Sequence, residues 1–112
     1  MDNKTVLELI EFLDSKKAEN VLAIELAGLT TMADYFVIAS ASVQTQIDSL
    51  REMSEDFLRK KGHKPRNSAT ARQTGWVLLD YNDCVIHLFV SELREFYNLE
   101  RIWGEGSVIR PA

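Results

Sequence analysis

Trp76-Val77-Leu78-Leu79-Asp80-Tyr81-Asn82-Asp83-Cys84-Val85-Ile86-His87-Leu88-Phe89-Val90 is the stretch that decides the fold. Two runs rich in β-branched and aromatic residues, 76–81 and 83–90, meet at Asn82, which tolerates positive φ. They read as two strands closing in a tight hairpin. Alternation places Trp76, Leu78 and Asp80 on one face of the first strand. In the second strand it places Val85, His87 and Phe89 opposite Cys84, Ile86 and Leu88.

Upstream, Val43, Ile47, Leu50, Phe57 and Leu58 carry a helical period from 43 to 61. Ser42 is its expected N-cap, with Arg59-Lys60-Lys61 at the C-terminal end and Gly62 as the left-handed cap. Between this helix and the hairpin, residues 63–75 hold Pro65 and no apolar period, and read as a loop. The run Tyr35-Phe36-Val37-Ile38-Ala39 does not alternate, as suits a central strand buried on both faces. Val21–Leu26 reads as a strand with Leu22, Ile24 and Leu26 on one face. Residues 28–33 read as a turn with a short helical piece.

The first helix spans residues 3–17, with a stripe of Val6, Leu7, Leu9, Ile10 and Leu13 and with Asp2, Asn3 or Thr5 as cap. Downstream of the hairpin, Ser91 opens a last helical stretch with Leu93, Phe96 and Tyr97. Asn98 restarts it towards Ile102 and Trp103, and residues 104–112 read as a loose tail.

This order predicts one α/β domain over residues 1–112, with a mixed four- to five-stranded sheet packed with helices. The first helix, roughly 22 Å long at ~1.5 Å per residue, shields only part of one sheet face. Apolar sheet surface left for a partner, or complete cover by the last helix, are both compatible with the pattern.

Composition narrows the class. The chain has 112 residues, 46% of them apolar and 27% charged, which suits a single globular core. Its one cysteine cannot form an internal disulfide, as expected in a reducing compartment. No apolar run reaches membrane-spanning length, and the start lacks the blocks of a signal peptide. Seventeen acidic against thirteen basic side chains give a net charge of −4, which argues against general nucleic-acid coating. The expectation is a small, soluble, cytoplasmic protein.

Reactive constellations are weak. Gly104-Glu105-Gly106 has no Lys-Ser/Thr after it, so no phosphate-binding loop is predicted. Cys84 and His87 point to opposite faces and cannot act as nucleophile and base, and neither has ligands at metal-binding spacing. Asp80 and Asp83 flank the turn at Tyr81-Asn82, where carboxylates cap backbone donors. Polarity is the stronger feature. Arg59, Lys60, Lys61, Lys64, Arg66 and Arg72 cluster within one helix end and loop, while acidic residues outnumber basic ones from residue 76 onward. The basic cluster reads either as a solvated end or as a contact for nucleic-acid phosphates. The acidic half suits a basic protein partner.

Three stretches resemble the Iojap family of bacterial ribosomal silencing factors: Gly28-Leu29-Thr30-Thr31-Met32-Ala33-Asp34-Tyr35-Phe36-Val37-Ile38, then Gly75 through Phe89, and Arg94-Glu95-Phe96-Tyr97-Asn98-Leu99-Glu100-Arg101-Ile102-Trp103. Lys17-Ala18-Glu19-Asn20-Val21 also resembles the family's entry to its first strand. Two departures stand out. Asn82 replaces the usual hairpin glycine, and the loop 66–72 lacks the usual Glu-Gly.

The resemblance implies a fold similar to nucleotidyltransferases without their catalytic site, and a protein that is not an enzyme and needs no cofactor, metal or small-molecule substrate. It implies a translational repressor. Such a protein binds ribosomal protein L-fourteen on the large subunit, blocks joining of the small subunit and is linked to large-subunit biogenesis. A homodimer is implied for the free protein.

On this reading Trp76 and Leu78 are apolar anchors for the ribosomal protein, with Asp80 and Tyr81 giving polar contacts at the hairpin end and His87 and Glu100 as further contacts. Ordinary core packing is the competing role for Trp76. Arg59, Lys60, Lys61 and Lys64 are the candidates for ribosomal RNA contact. A degenerate nucleotide-binding domain and an RNA-binding module are the competing functions.

Overall fold

The computed structural model describes residues 1–26, 33–69, 75–93 and 107–111. Its elements are α1 (Asn3–Ser15), β1 (Glu19–Glu25), β2 (Tyr35–Ala41), α2 (Gln44–Lys60), β3 (Asn67–Ala69), β4 (Trp76–Asp80), β5 (Cys84–Val90) and β6 (Ser107–Ile109). The six strands form one mixed sheet in the order β3-β4-β5-β2-β1-β6. Among the described residues only the β2–β5 ladder is parallel, running from Tyr35↔Cys84 to Ala41↔Val90.

The helices form where the apolar period demands. In α1, Val6, Leu9, Ile10 and Leu13 are buried and the Asp2 carboxylate caps the start by accepting from Thr5 N–H at 2.9 Å. Both helices end in the same double hydrogen-bonded cap. Lys17 (φ 66) and Gly62 (φ 88) occupy the left-handed position. Ala18 N–H then returns to the Leu13 carbonyl, and His63 N–H to that of Leu58. The expected cap of α2, Ser42, is engaged elsewhere, because its hydroxyl donates to Glu19 Oε2 at 3.1 Å. Val43 takes the N-cap position without a side-chain hydrogen bond.

The pleat sorts the sheet's side chains into two clusters. Val21, Ala23, Tyr35, Val37, Ala39, Val77, Leu79, Cys84, Ile86 and Leu88 join the apolar stripes of α1 and α2. Leu22, Ile24, Ile38, Phe36 and Phe89 lie on the opposite face, with Trp76, Val85 and Leu93 packed against them. The run at β2 is buried throughout, as its lack of alternation required.

Two segments depart from expectation. Within 63–75, Asn67–Ala69 forms an edge strand on β4 with Asn67↔Asp80 and Ala69↔Leu78 in register. In the tail expected to be loose, Ser107–Ile109 pairs with β1 as Ala23↔Ile109 to Glu25↔Ser107. Both are three residues long and held by backbone pairing, so neither carries a side-chain period to read. They raise the strand count at the two edges and leave the mixed α/β architecture as expected. The last helical stretch beyond residue 93 and the turn at 28–32 lie outside the described residues.

Candidate functional site, a groove on the sheet face away from the helices

The hairpin builds the site. Asn82 takes φ 74, its N–H donates to Asp80 Oδ1 at 2.7 Å, and Tyr81 N–H donates to the Cys84 carbonyl at 2.8 Å. This turn fixes the register Trp76↔Phe89, Leu78↔His87 and Asp80↔Val85. The parallel ladder then sets Phe36 beside Val85 and Ile38 beside His87. Trp76, Leu78 and Asp80 therefore share one half-buried face, as alternation predicted.

At the turn end of this face lies a groove of about 370 Å³ lined by Phe36, Leu78, Val85 and His87, with Arg66 and Asp80 at its rim. Its apolar part comes from three neighbouring strands. The aromatic cluster continues inward: Phe36 meets the His87 ring edge-on at 4.8 Å, and Trp76 lies 5.0 Å from Phe89.

His87 is only 5% exposed, and burial pushes its pKa down to about 4. The ring is therefore neutral at physiological pH. Trp76 Nε1–H donates to its Nδ1 at 3.2 Å, which places the remaining ring proton on Nε2. That buried Nε2–H has no hydrogen-bond partner. With its N–H given to His87, the rest of the Trp76 indole surface is apolar. Cys84 sits on the helix side, its thiol pushed up to about 12 by burial, so the opposite-face relation of Cys84 and His87 is found as read.

Asp80 is held from two sides. Its Oδ1 accepts the Asn82 N–H, and its Oδ2 accepts from Arg66 Nη2 at 3.1 Å. The Asp80 side chain is 21% exposed and that of Arg66 is 66% exposed.

Tyr81 does not share this rim. The pleat turns it to the helix face, where it is buried among the first cluster. Its hydroxyl finds no partner, and burial raises its pKa to about 12. Of the two residues expected to give polar contacts at the hairpin end, the structure sets Asp80 at the groove and Tyr81 on the opposite face. Glu100 lies outside the described residues, as does Arg72 of the basic cluster.

The rest of that cluster is largely spent within the chain. Arg59 pairs with Asp56, and Lys60 reaches the same carboxylate at 3.2 Å. Lys61 pairs with Glu8 at 3.1 Å and lies over the Phe57 ring. Lys64 is exposed.

Phe36 and Arg66 are groove residues that no sequence pattern marks. The parallel β2–β5 pairing that brings Phe36 to Val85 leaves no local signature. Arg66 lay inside a segment read as loop. Among the described residues no group of three or more His, Cys, Asp or Glu stands together as a metal site, and no helix is long and apolar enough to cross a membrane.

Among the described residues, a mixed sheet carries α1 and α2 on one face and an apolar groove with Asp80 at its rim on the other, which defines a small α/β domain. The chain belongs to the ribosomal silencing factor family, whose model, described as "Ribosomal silencing factor during starvation", matches residues 2–111. It is 38% identical over 106 residues to ribosomal silencing factor RsfS of Zymomonas mobilis, covering 94% of this chain and 80% of that one. It is 31% identical over 110 residues to the RsfS of Halalkalibacterium halodurans, covering 97% and 94%. Its fold matches a crystal structure of a Chromobacterium violaceum protein with a TM-score of 0.84 at 24% identity, over 93% of this chain and 88% of that one.

Proposed function

We propose that this chain is a translational repressor that docks on the large ribosomal subunit through ribosomal protein L-fourteen and blocks joining of the small subunit. The observation that carries the reading is the groove: Phe36, Leu78 and Val85 with the half-buried Trp76 beside them, bounded by the Asp80 carboxylate. Apolar anchors surrounded by a polar rim are what a protein–protein hot spot needs. The chain's net charge of −4 steers it toward a basic partner, and ribosomal proteins are mostly basic.

Repression by this route requires no turnover. A bound domain of this size excludes the other subunit by occupying its volume, and the same occupancy on an immature large subunit accounts for a part in its biogenesis. The protein acts in the cytoplasm, where its targets are. An RNA contact through Arg59, Lys60, Lys61 and Lys64 is a secondary reading, in which Arg59, Lys60 and Lys61 exchange their Asp56 and Glu8 pairs for phosphates. In the free protein the same face joins two copies in a homodimer, which then competes with ribosome binding.

Sucrose-gradient sedimentation of purified subunits under joining conditions tests the reading. Co-migration with the large subunit and a smaller joined-ribosome peak are expected. Protein left at the top of the gradient with joining unaffected would refute it.

A further inference from the structure

One contact at the groove's rim is made by the chain with itself. Arg66 stands just before β3, and its backbone N–H donates to the Asp80 carbonyl at 2.6 Å. The next residue, Asn67, is the ladder partner of Asp80. The Arg66 backbone is thus held beside the end of β4 whatever its side chain does. The guanidinium reaches across the turn, with Nη2 on Asp80 Oδ2 at 3.1 Å and Nη1 on Asn82 Oδ1 at 2.9 Å. In that position it forms part of the groove wall.

The two partners are unequal. Asp80 is fixed by a second hydrogen bond from the Asn82 backbone and stands largely shielded, whereas the Arg66 side chain is mostly in water. An ion pair with one member so exposed is weakly held and readily exchanged.

We infer that Arg66 is an internal stand-in for a cation of the partner. In the unbound protein it occupies the Asp80 carboxylate. On docking, an arginine or lysine of a basic protein takes its place while a neighbouring apolar side chain enters between Phe36, Leu78 and Val85. The inference rests on the groove being the docking face. It makes docking an exchange of one ion pair for another. A ligand without a cation leaves Arg66 across the groove and gains nothing from Asp80, so the contact trades affinity for discrimination.

The test is a double-mutant cycle on the full chain, with purified bacterial large ribosomal subunits as the probe. Dissociation constants are measured at low and high salt for wild type, Arg66→Gln, Asp80→Asn and the double variant. Asn at position 80 keeps an oxygen for the Asn82 N–H, and Arg66 is exposed, so thermal midpoints near wild type are expected for all variants. Arg66→Gln should bind about two- to fivefold tighter with a steeper salt dependence, Asp80→Asn should bind more weakly, and the gain from Arg66→Gln should be markedly smaller in the Asp80→Asn background.

Removing a positive charge from an acidic chain also attracts a basic partner at long range. That gain is the same with Asp80 replaced, so a gain from Arg66→Gln that is equal in both backgrounds overturns the inference. Unchanged or weaker binding by Arg66→Gln overturns it too. A wild-type chain that binds no subunits instead removes the docking-face reading on which the inference stands.

Discussion

Trp76 and His87 are joined across the β4–β5 ladder by an indole N–H donating to Nδ1 at 3.2 Å. The bond removes the polar end of the tryptophan from solution and selects one tautomer of a buried, neutral imidazole. It ties the half-buried Trp76 to the buried His87 beneath the groove.

Trp76→Ala should separate docking from folding. The side chain is half-buried, so its loss should cost about 2 kcal/mol, roughly half the cost at a fully buried aromatic position, and leave a native circular dichroism spectrum. As a central anchor its loss should weaken large-subunit binding by at least about thirtyfold. Binding titration beside a thermal melt checks both, and a variant that loses its fold along with binding assigns Trp76 to the core.

His87 should make the protein acid-sensitive. Unfolded chains take up this proton near 6.5, whereas the native ring does so only near 4. Between those values the unfolded state binds more protons, so stability falls as pH drops through the window, by about 3 kcal/mol in all. His87→Gln keeps an acceptor for the Trp76 indole and does not titrate. Urea midpoints at pH 7 and 4.5 should show a loss about 2 kcal/mol smaller than in wild type.

Tyr81→Phe should be harmless or beneficial. The hydroxyl is buried without a partner, and deleting such a group removes a desolvation cost of about 1 kcal/mol. A thermal midpoint equal to or above wild type is expected, with sedimentation on the large subunit unchanged. Weakened binding by a stable Tyr81→Phe variant would return Tyr81 to the docking rim.

The two helix caps predict opposite responses. Gly62 has φ 88 with nothing within 4 Å of a built Cβ, so Gly62→Ala should cost about 1 kcal/mol from backbone strain alone. Lys17 holds the same left-handed position with a side chain, and Lys17→Gly should stabilise by several tenths of a kcal/mol, about 0.5. Paired chemical denaturation curves read both signs.

The hairpin and both long helices were legible because each carries its own period or turn residue. Asn82, for instance, announces its positive φ by type. The faces of Trp76, Leu78, Asp80 and His87 followed from alternation alone. Tyr81 lies next to the turn, yet parity sets it with Val77 and Leu79 under the helices. Phe36 was out of reach for another reason. Its place beside Val85 comes from a parallel pairing between strands far apart in sequence, with a helix and another strand pair between them. Such a crossover is decided by the packing of the whole sheet. Ser42, read as a cap, was drawn off by Glu19, a long-range competitor that no local rule contains.

The position of β2 in the middle of the sheet has a consequence for biosynthesis. This strand receives its parallel neighbour only when Cys84–Val90 has been made, after α2 and the β3–β4 ribbon. Until then one side of an apolar strand stays unpaired, open to the wrong neighbour. Because the ladder joins distant residues, the entropy of closing that long loop falls due before any reward. The centre of the sheet is therefore completed only once β5 has left the ribosome that made it, and its β1 edge only after β6 has followed.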